Sequence, residues 1–358
     1  MINKNSELSF LLINDCFASP IRSVKKEDKH NYSNTTSLIG GLYDSNNKPL
    51  INSLVKRWGI QDIQIHDISY VIDRNIATKI KGRAVYGGVI FIGWGHFILE
   101  TLARAWYIKD SLDDVYFYCA NKKSVNELCG WQRYILSHLI KDTNRIKLIT
   151  GPTVFEQLIV PDPGAVHGQY LSKVNTDALS SIGKNIIENY EQETPIKKVW
   201  LSRTLLTKAR VAGEEKFEAA LEREGFFIAH PENLPVPEQI KLFENSSVVT
   251  GVIGSAFYTV LLANKKGPKI ILFSRWGGFA FYDKYSEIVS LDAEFYDFFI
   301  KCGEVTNIDS KTARNVMIDF GAVWNVLYNH GYVVNKRYDD PGVEDDLKRL
   351  DKECRSRV

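Results

Sequence analysis

Between residues 198 and 273 short apolar runs alternate with amphipathic segments of about ten residues, and this rhythm restricts the fold more than any other feature. The runs at 198–201, 226–229, 247–250 and 269–273 read as strands, and 214–224, 237–244 and 255–263 read as helices. Such alternation builds βαβ units, hence a parallel sheet covered by helices on both faces. The preceding half is less regular. It mixes strand-like runs at 10–13, 89–92, 115–118, 147–149 and 157–160 with helical patterns at 95–109, 124–140 and 176–190.

A chain of 358 residues exceeds one ordinary core. The polar stretch 190–198, with Pro195, is the best linker. The expected organisation is an α/β domain over 1–189, a second over 196–311, and a helical segment over 312–358 that is either a solvated tail or packs back on the first domain. Two α/β domains with a cleft between them is the expected architecture.

Charged residues make up 25% of the chain and the net charge is +2, so any basic patch must be local and nothing points to nucleic acid. The five cysteines (Cys16, Cys119, Cys129, Cys302, Cys354) are scattered without metal-ligand spacing, which fits a reducing, cytoplasmic setting. The 246–264 stretch is uncharged but broken by Gly251, Gly254 and Ser255, and is not read as a membrane span. Residues 348–357 carry five basic and two acidic side chains, leaving peripheral membrane association open.

Four stretches are candidates for chemistry. KKVWLSRTLLTKAR (197–210) holds five basic residues and no acid. Arg203 follows a parallel strand, where open α/β sheets bind ligands, and its guanidinium suits a phosphate; Lys208 and Arg210 lie nearby. The alternative is a solvated basic loop. In SSVVTGVIGSAFYTVLLA (246–263) a strand runs into Gly-x-x-Gly-Ser and a helix. Backbone amides at Gly254, Ser255 and Ala256 can cradle a diphosphate, or the loop is a packed turn. In VPEQIKLFENS (236–246), Glu238 and Gln239 open a helix and can reach a ribose, although helix starts favour acids anyway.

The fourth stretch is FIGWGHFILETLARAW (91–106). On a regular helix His96, Glu100 and Arg104 fall within ~80° of one another. They form either an ordinary solvated face or an active-site wall in which His96 or Glu100 is a general base. Trp94 belongs to the same loop, and His167 lies in a Pro/Gly-rich loop after a strand; with Arg104 they are acceptor-side candidates. No Asp-x-Asp occurs, which removes the simplest carboxylate pair for a divalent metal on a nucleotide diphosphate.

The order GHFILETLARAW, VWLSR, ARVAGEEKFEAALEREGF, HPENLPVPEQIKLF, VVTGVIGSAFYTVLLANKKGPKIILF resembles glycosyltransferase family 61, which includes bacterial capsular-polysaccharide transferases and eukaryotic xylosyl- and N-acetylglucosaminyltransferases. One departure is Ile253, where many members have a histidine before the loop glycine. The resemblance implies a GT-B-like fold of two Rossmann-like domains. It also implies inverting, metal- and cofactor-independent transfer from a nucleotide-sugar, with UDP as the family expectation, to a saccharide or lipid-linked acceptor in surface polysaccharide or glycolipid synthesis. The rivals are a pyruvyl transferase using phosphoenolpyruvate and a non-catalytic nucleotide- or sugar-binding protein.

Overall fold

The computed structural model describes residues 8–24, 36–57, 61–67, 70–120, 122–190, 197–263, 267–278, 282, 290–303, 314–338 and 343–356. The chain is mixed α/β and divides into two compact units, Met1–Glu188 and Asn189–Val358. The expected linker at 191–196 lies outside the described residues.

The first unit is built on a six-stranded sheet. Its strands are β1 (Phe10–Ala18), β2 (Leu42–Tyr43), β3 (Thr78–Val89), β4 (Asp114–Tyr118), β5 (Ile146–Ile149) and β6 (Thr153–Pro161), in the order β5-β4-β3-β6-β1-β2. The four strands from β5 to β6 are parallel, while β1 and β2 add antiparallel to the β6 side. From β3 the chain moves outward through β4 and β5, then returns to place β6 on the other flank. Strand order therefore reverses between β3 and β6, the position at which open α/β sheets bind ligands beyond the strands' carboxyl ends. Tyr86, Tyr118, Phe155 and Leu158 fill the core beneath.

Two expectations shift here. The run at 89–92 closes a strand instead of forming one: β3 ends at Val89, after a bulge between Tyr86 and Gly88 that places Gly88 at φ +100°. The glycines that weakened the strand pattern at 87–88 are the residues this bulge needs. The expected 95–109 helix is three pieces: α1 (Trp94–Leu99), a 3-10 turn (Thr101–Arg104) and α2 (Ala105–Ile108). Thr101 causes the break, because its hydroxyl donates to Val89 O at 3.0 Å and accepts from Phe91 N–H at 2.9 Å, pulling the backbone to the end of β3. Helices α3 (Gly130–Leu139) and α4 (Lys173–Ile187) complete this unit.

The second unit carries the anticipated βαβ rhythm. Strands β7 (Lys198–Leu201), β8 (Phe227–Ala229), β9 (Val248–Val252), β10 (Lys269–Phe273) and β11 (Ala293–Tyr296) form an all-parallel sheet in the order β8-β7-β9-β10-β11. Alternate side chains serve opposite faces. Trp200, Val248 and Phe273 pack with α5 (Glu214–Arg223) and α7 (Phe320–Asn329) through Phe217, Leu221, Phe320 and Trp324. Val199, Leu201 and Leu272 pack with α6 (Val236–Asn245) and the 3-10 helix Ser255–Leu262 through Phe243 and Phe257. Both faces are covered, which explains why the central strands β7, β9 and β10 are largely apolar. Order reverses between β7 and β9.

The region from 312 is not continuous helix. Val316–Ile318 is a strand, and Asp319 then caps α7 by accepting from Ala322 N–H at 2.8 Å. The charged C-terminus forms α8 (Glu344–Ser356), which packs within the second unit: Leu347 and Leu350, with Val343 just before the helix, bury against Ala212 and Met317. Among the described residues no helix is long and apolar enough to cross a membrane.

Candidate active site

In the first unit the loop after β3 delivers His96 to the carboxyl edge of the sheet, and the loop after β6 delivers His167 to the same edge. The two rings meet at 5.6 Å between centroids. The β3–α1 loop is held from below by Thr101 and from the side by Gln132, whose Nε2 donates to Phe91 O at 2.9 Å.

Glu100 lies one turn below His96 and is buried, with His96 Nδ1 2.8 Å from its Oε2. Its second partner is Arg57, which grips the carboxylate through both nitrogens of one fork, Nε to Oε1 at 2.6 Å and Nη2 to Oε2 at 2.8 Å. Burial by itself would push this carboxyl up. The contact with His96 and the bonds and charge of Arg57 overturn that and hold it down to about 2. Glu100 is thus a fixed anion and a poor proton acceptor at neutral pH. His96, in contrast, has a side chain that is 43% exposed. His167 is pushed down to about 4, by burial first, with His96 and Arg57 adding to the effect against Glu100; its imidazole is neutral at physiological pH. Trp94 stands against Trp131, centroids 5.2 Å apart, forming a half-buried aromatic shelf near His96.

Arg104 does not join this group. A 3-10 turn advances about 120° per residue, and the guanidinium swings inward, donating from Nε to Pro161 O at 2.9 Å and lying 4.9 Å from the Tyr86 ring centroid. Neither Glu100 nor Arg104 is on a solvated face; both are buried. Arg104 braces the end of β6 under the site.

In the second unit Arg203 leaves the end of β7 and Gly254 follows β9, the strands flanking the order reversal. A methyl group added at Gly254 would collide with Arg203 Nη1, so glycine is what lets the guanidinium lie over this backbone. Arg203 Nε donates to Ala209 O at 2.8 Å. Among the described residues no carboxylate lies within ion-pair distance of Arg203. The Ser255–Leu262 helix starts directly after Gly254, and Tyr282 donates its hydroxyl hydrogen to Gly254 O at 2.8 Å.

The remaining candidates have local occupations. Lys208 is exposed. Arg210 is committed to Glu353 at 2.8 Å and Glu215 at 3.1 Å, pinning α8. Glu238 accepts from the Tyr190 hydroxyl at 2.7 Å, and Gln239 Nε2 donates to Leu234 O at 2.9 Å. Ser255 and Ala256 begin the 3-10 helix beside Arg203. Ile253 is fully buried in the α6-side core, with its N–H on Phe273 O at 2.9 Å.

Sequence reasoning missed Arg57, Trp131 and Arg275. Arg57 is 43 residues from Glu100 and no local pattern links them. Arg275 did have a signal. It follows β10 in Phe-Ser-Arg as Arg203 follows β7 in Leu-Ser-Arg.

Residues 94–271 match the family described as Glycosyltransferase 61. The comparison with curated proteins gives no match.

Proposed function

Since the chain belongs to glycosyltransferase family 61 and is a glycosyltransferase, we propose that it moves a sugar from a UDP-linked donor to a saccharide or lipid-linked saccharide acceptor, with inversion and without a metal. The observation that carries the mechanistic reading is the Arg57–Glu100–His96 chain. Of the two candidate bases, Glu100 is paired with a bidentate guanidinium and held anionic, while His96 is more exposed and has Nδ1 2.8 Å from that carboxylate. With Nδ1 2.8 Å from that anion, the positive charge that His96 gains on taking a proton is stabilised.

In this reading an acceptor hydroxyl gives its proton to His96 Nε2 as its oxygen bonds to the anomeric carbon. The bond from that carbon to the diphosphate oxygen breaks on the opposite face, and its electron pair leaves with the nucleotide. General-base help of this kind is worth about 10²–10⁴ in rate. His167, neutral, and the Trp94 shelf serve the acceptor, since aromatic faces suit sugar rings. In the second unit Arg203 and the amides at Gly254, Ser255 and Ala256 take the diphosphate, with Lys208 as an exposed auxiliary cation. Glu238 and Gln239 open a helix suited to the ribose. A GT-B arrangement, and work in surface polysaccharide or glycolipid synthesis on the cytoplasmic side of the membrane, belong to the same proposal.

Thermal unfolding with UDP, GDP, CMP and phosphoenolpyruvate tests the donor assignment. A ligand at 100 times its Kd stabilises by about 2.7 kcal/mol. UDP should raise the melting temperature of the wild type and not of Arg203→Ala. Stabilisation by phosphoenolpyruvate alone, or an undiminished UDP response in Arg203→Ala, would remove the donor-site reading.

A further inference from the structure

Two strands of the second sheet end in the same way. Leu201, the last residue of β7, and Phe273, the last of β10, are each followed by Ser-Arg, and in each case the serine hydroxyl ties the following turn. Ser202 Oγ accepts from Thr204 N–H at 3.1 Å; Ser274 Oγ accepts from Gly277 N–H at 3.0 Å and Gly278 N–H at 2.9 Å. With the turns fixed, the two arginines flank β9 at its carboxyl end. They converge on one atom. Arg203 Nε and Arg275 Nη1 both donate to Ala209 O, at 2.8 and 3.3 Å.

Ala209 itself holds φ +61°, a left-handed conformation that is unfavourable for a residue with a Cβ. Arg275 is 4% exposed and lies over Trp276, its Cζ 4.5 Å from the ring centroid. Burial first, and then the charge of Arg203, push Arg275 down to about 9, which leaves it charged at neutral pH. The buried carboxylate that acts on both, Glu214, is pushed upward by burial and then by the charge of Glu218, which weakens it as a counter-charge. Two guanidinium groups converging on one carbonyl at the carboxyl end of the sheet set side by side the donors that an anion with more than one phosphate group can take.

We propose that Arg275 is a second anion-binding residue of the donor site, forming with Arg203 a two-guanidinium clamp that selects nucleoside diphosphates over nucleoside monophosphates. The inference rests on the donor-site reading above and adds the residue that sets the phosphate count. One guanidinium satisfies a single phosphate group; the second is used only when another phosphate is attached.

Isothermal titration of the full chain with UDP, UMP and inorganic pyrophosphate tests it, alongside Arg275→Gln, Arg275→Lys and Arg203→Ala. The wild type should bind UDP at least tenfold more tightly than UMP. Arg275→Gln should lose at least tenfold in UDP and pyrophosphate affinity with UMP little changed, and Arg275→Lys should recover part of the loss. A folded Arg275→Gln protein that keeps the full UDP-to-UMP ratio overturns the inference. A wild type that binds UMP as tightly as UDP does the same, whether or not the variants fold. If UDP binding depends on Arg203 and not on Arg275, the donor-site reading stands and only this inference fails. If the wild type binds none of the three probes, both fail.

Discussion

Arg57 holds Glu100 through both carboxylate oxygens, at 2.6 and 2.8 Å, and the same carboxylate faces His96 Nδ1 at 2.8 Å. A buried acid is ordinarily protonated; this one is kept as an anion by its two partners. In the proposed mechanism this divides the labour: the carboxylate orients and the imidazole takes the acceptor's proton.

Removing one partner of a buried pair leaves an uncompensated charge. Arg57→Ala should therefore destabilise the chain by roughly 3–5 kcal/mol, read from urea denaturation midpoints at constant m. A loss below about 1 kcal/mol, the range of exposed pairs, would mean that the pair is not buried in solution.

The depressed carboxyl also makes a pH prediction. Glu100 has a folded pKa of about 2 against 4.5, so its stabilising contribution is complete above pH 4.5 and is lost as pH falls through the folded value. The shift corresponds to roughly 3 kcal/mol. The stability gap between wild type and Glu100→Gln should narrow between pH 5 and pH 2.5. A gap independent of pH across that range would contradict the assignment.

Gly254→Ala probes the proposed donor loop without straining it, because Gly254 is in extended backbone at φ −172°. The added methyl must displace the Arg203 guanidinium. The apo protein should melt close to the wild type, while UDP affinity falls at least tenfold by titration. Unchanged affinity would show that Arg203 does not contact the ligand from this position.

Ile253→His places an imidazole in the packed α6-side core. Without a partner there, a buried polar group costs about 1–3 kcal/mol, read as a lowered denaturation midpoint. An unaltered midpoint would indicate that the side chain reaches solvent or a polar partner through a rearrangement of the loop.

The centre of the second unit was nearly transparent in the sequence because β7, β9 and β10 are buried on both faces and stand between helix-period segments, whereas the half-buried β11 was not read. Bounds at 198–201 and 269–273 coincide with β7 and β10. The first unit was not, for two physical reasons. Its β3 spends glycines on a bulge, which hides the strand pattern, and a threonine side chain breaks the helix after it, which misdirects any helical wheel. His96 and Glu100 stayed neighbours despite that error because they sit one turn apart within or beside α1. Arg104 did not, since it lies beyond the break. Arg57 and Trp131 come from distant segments, and only tertiary structure brings them to His96. Arg275 was legible in principle, as a repeat of the strand-Ser-Arg ending already noticed at Arg203.

The central claim, that His96 is the base and Glu100 its orienting anion, is tested most directly by turnover of His96→Ala with donor binding measured on the same preparation. The variant should bind UDP within about twofold of the wild type while kcat for sugar transfer falls by about 10²–10⁴. Near-normal kcat in His96→Ala, with turnover lost instead in Glu100→Gln of unchanged fold and UDP affinity, would contradict it.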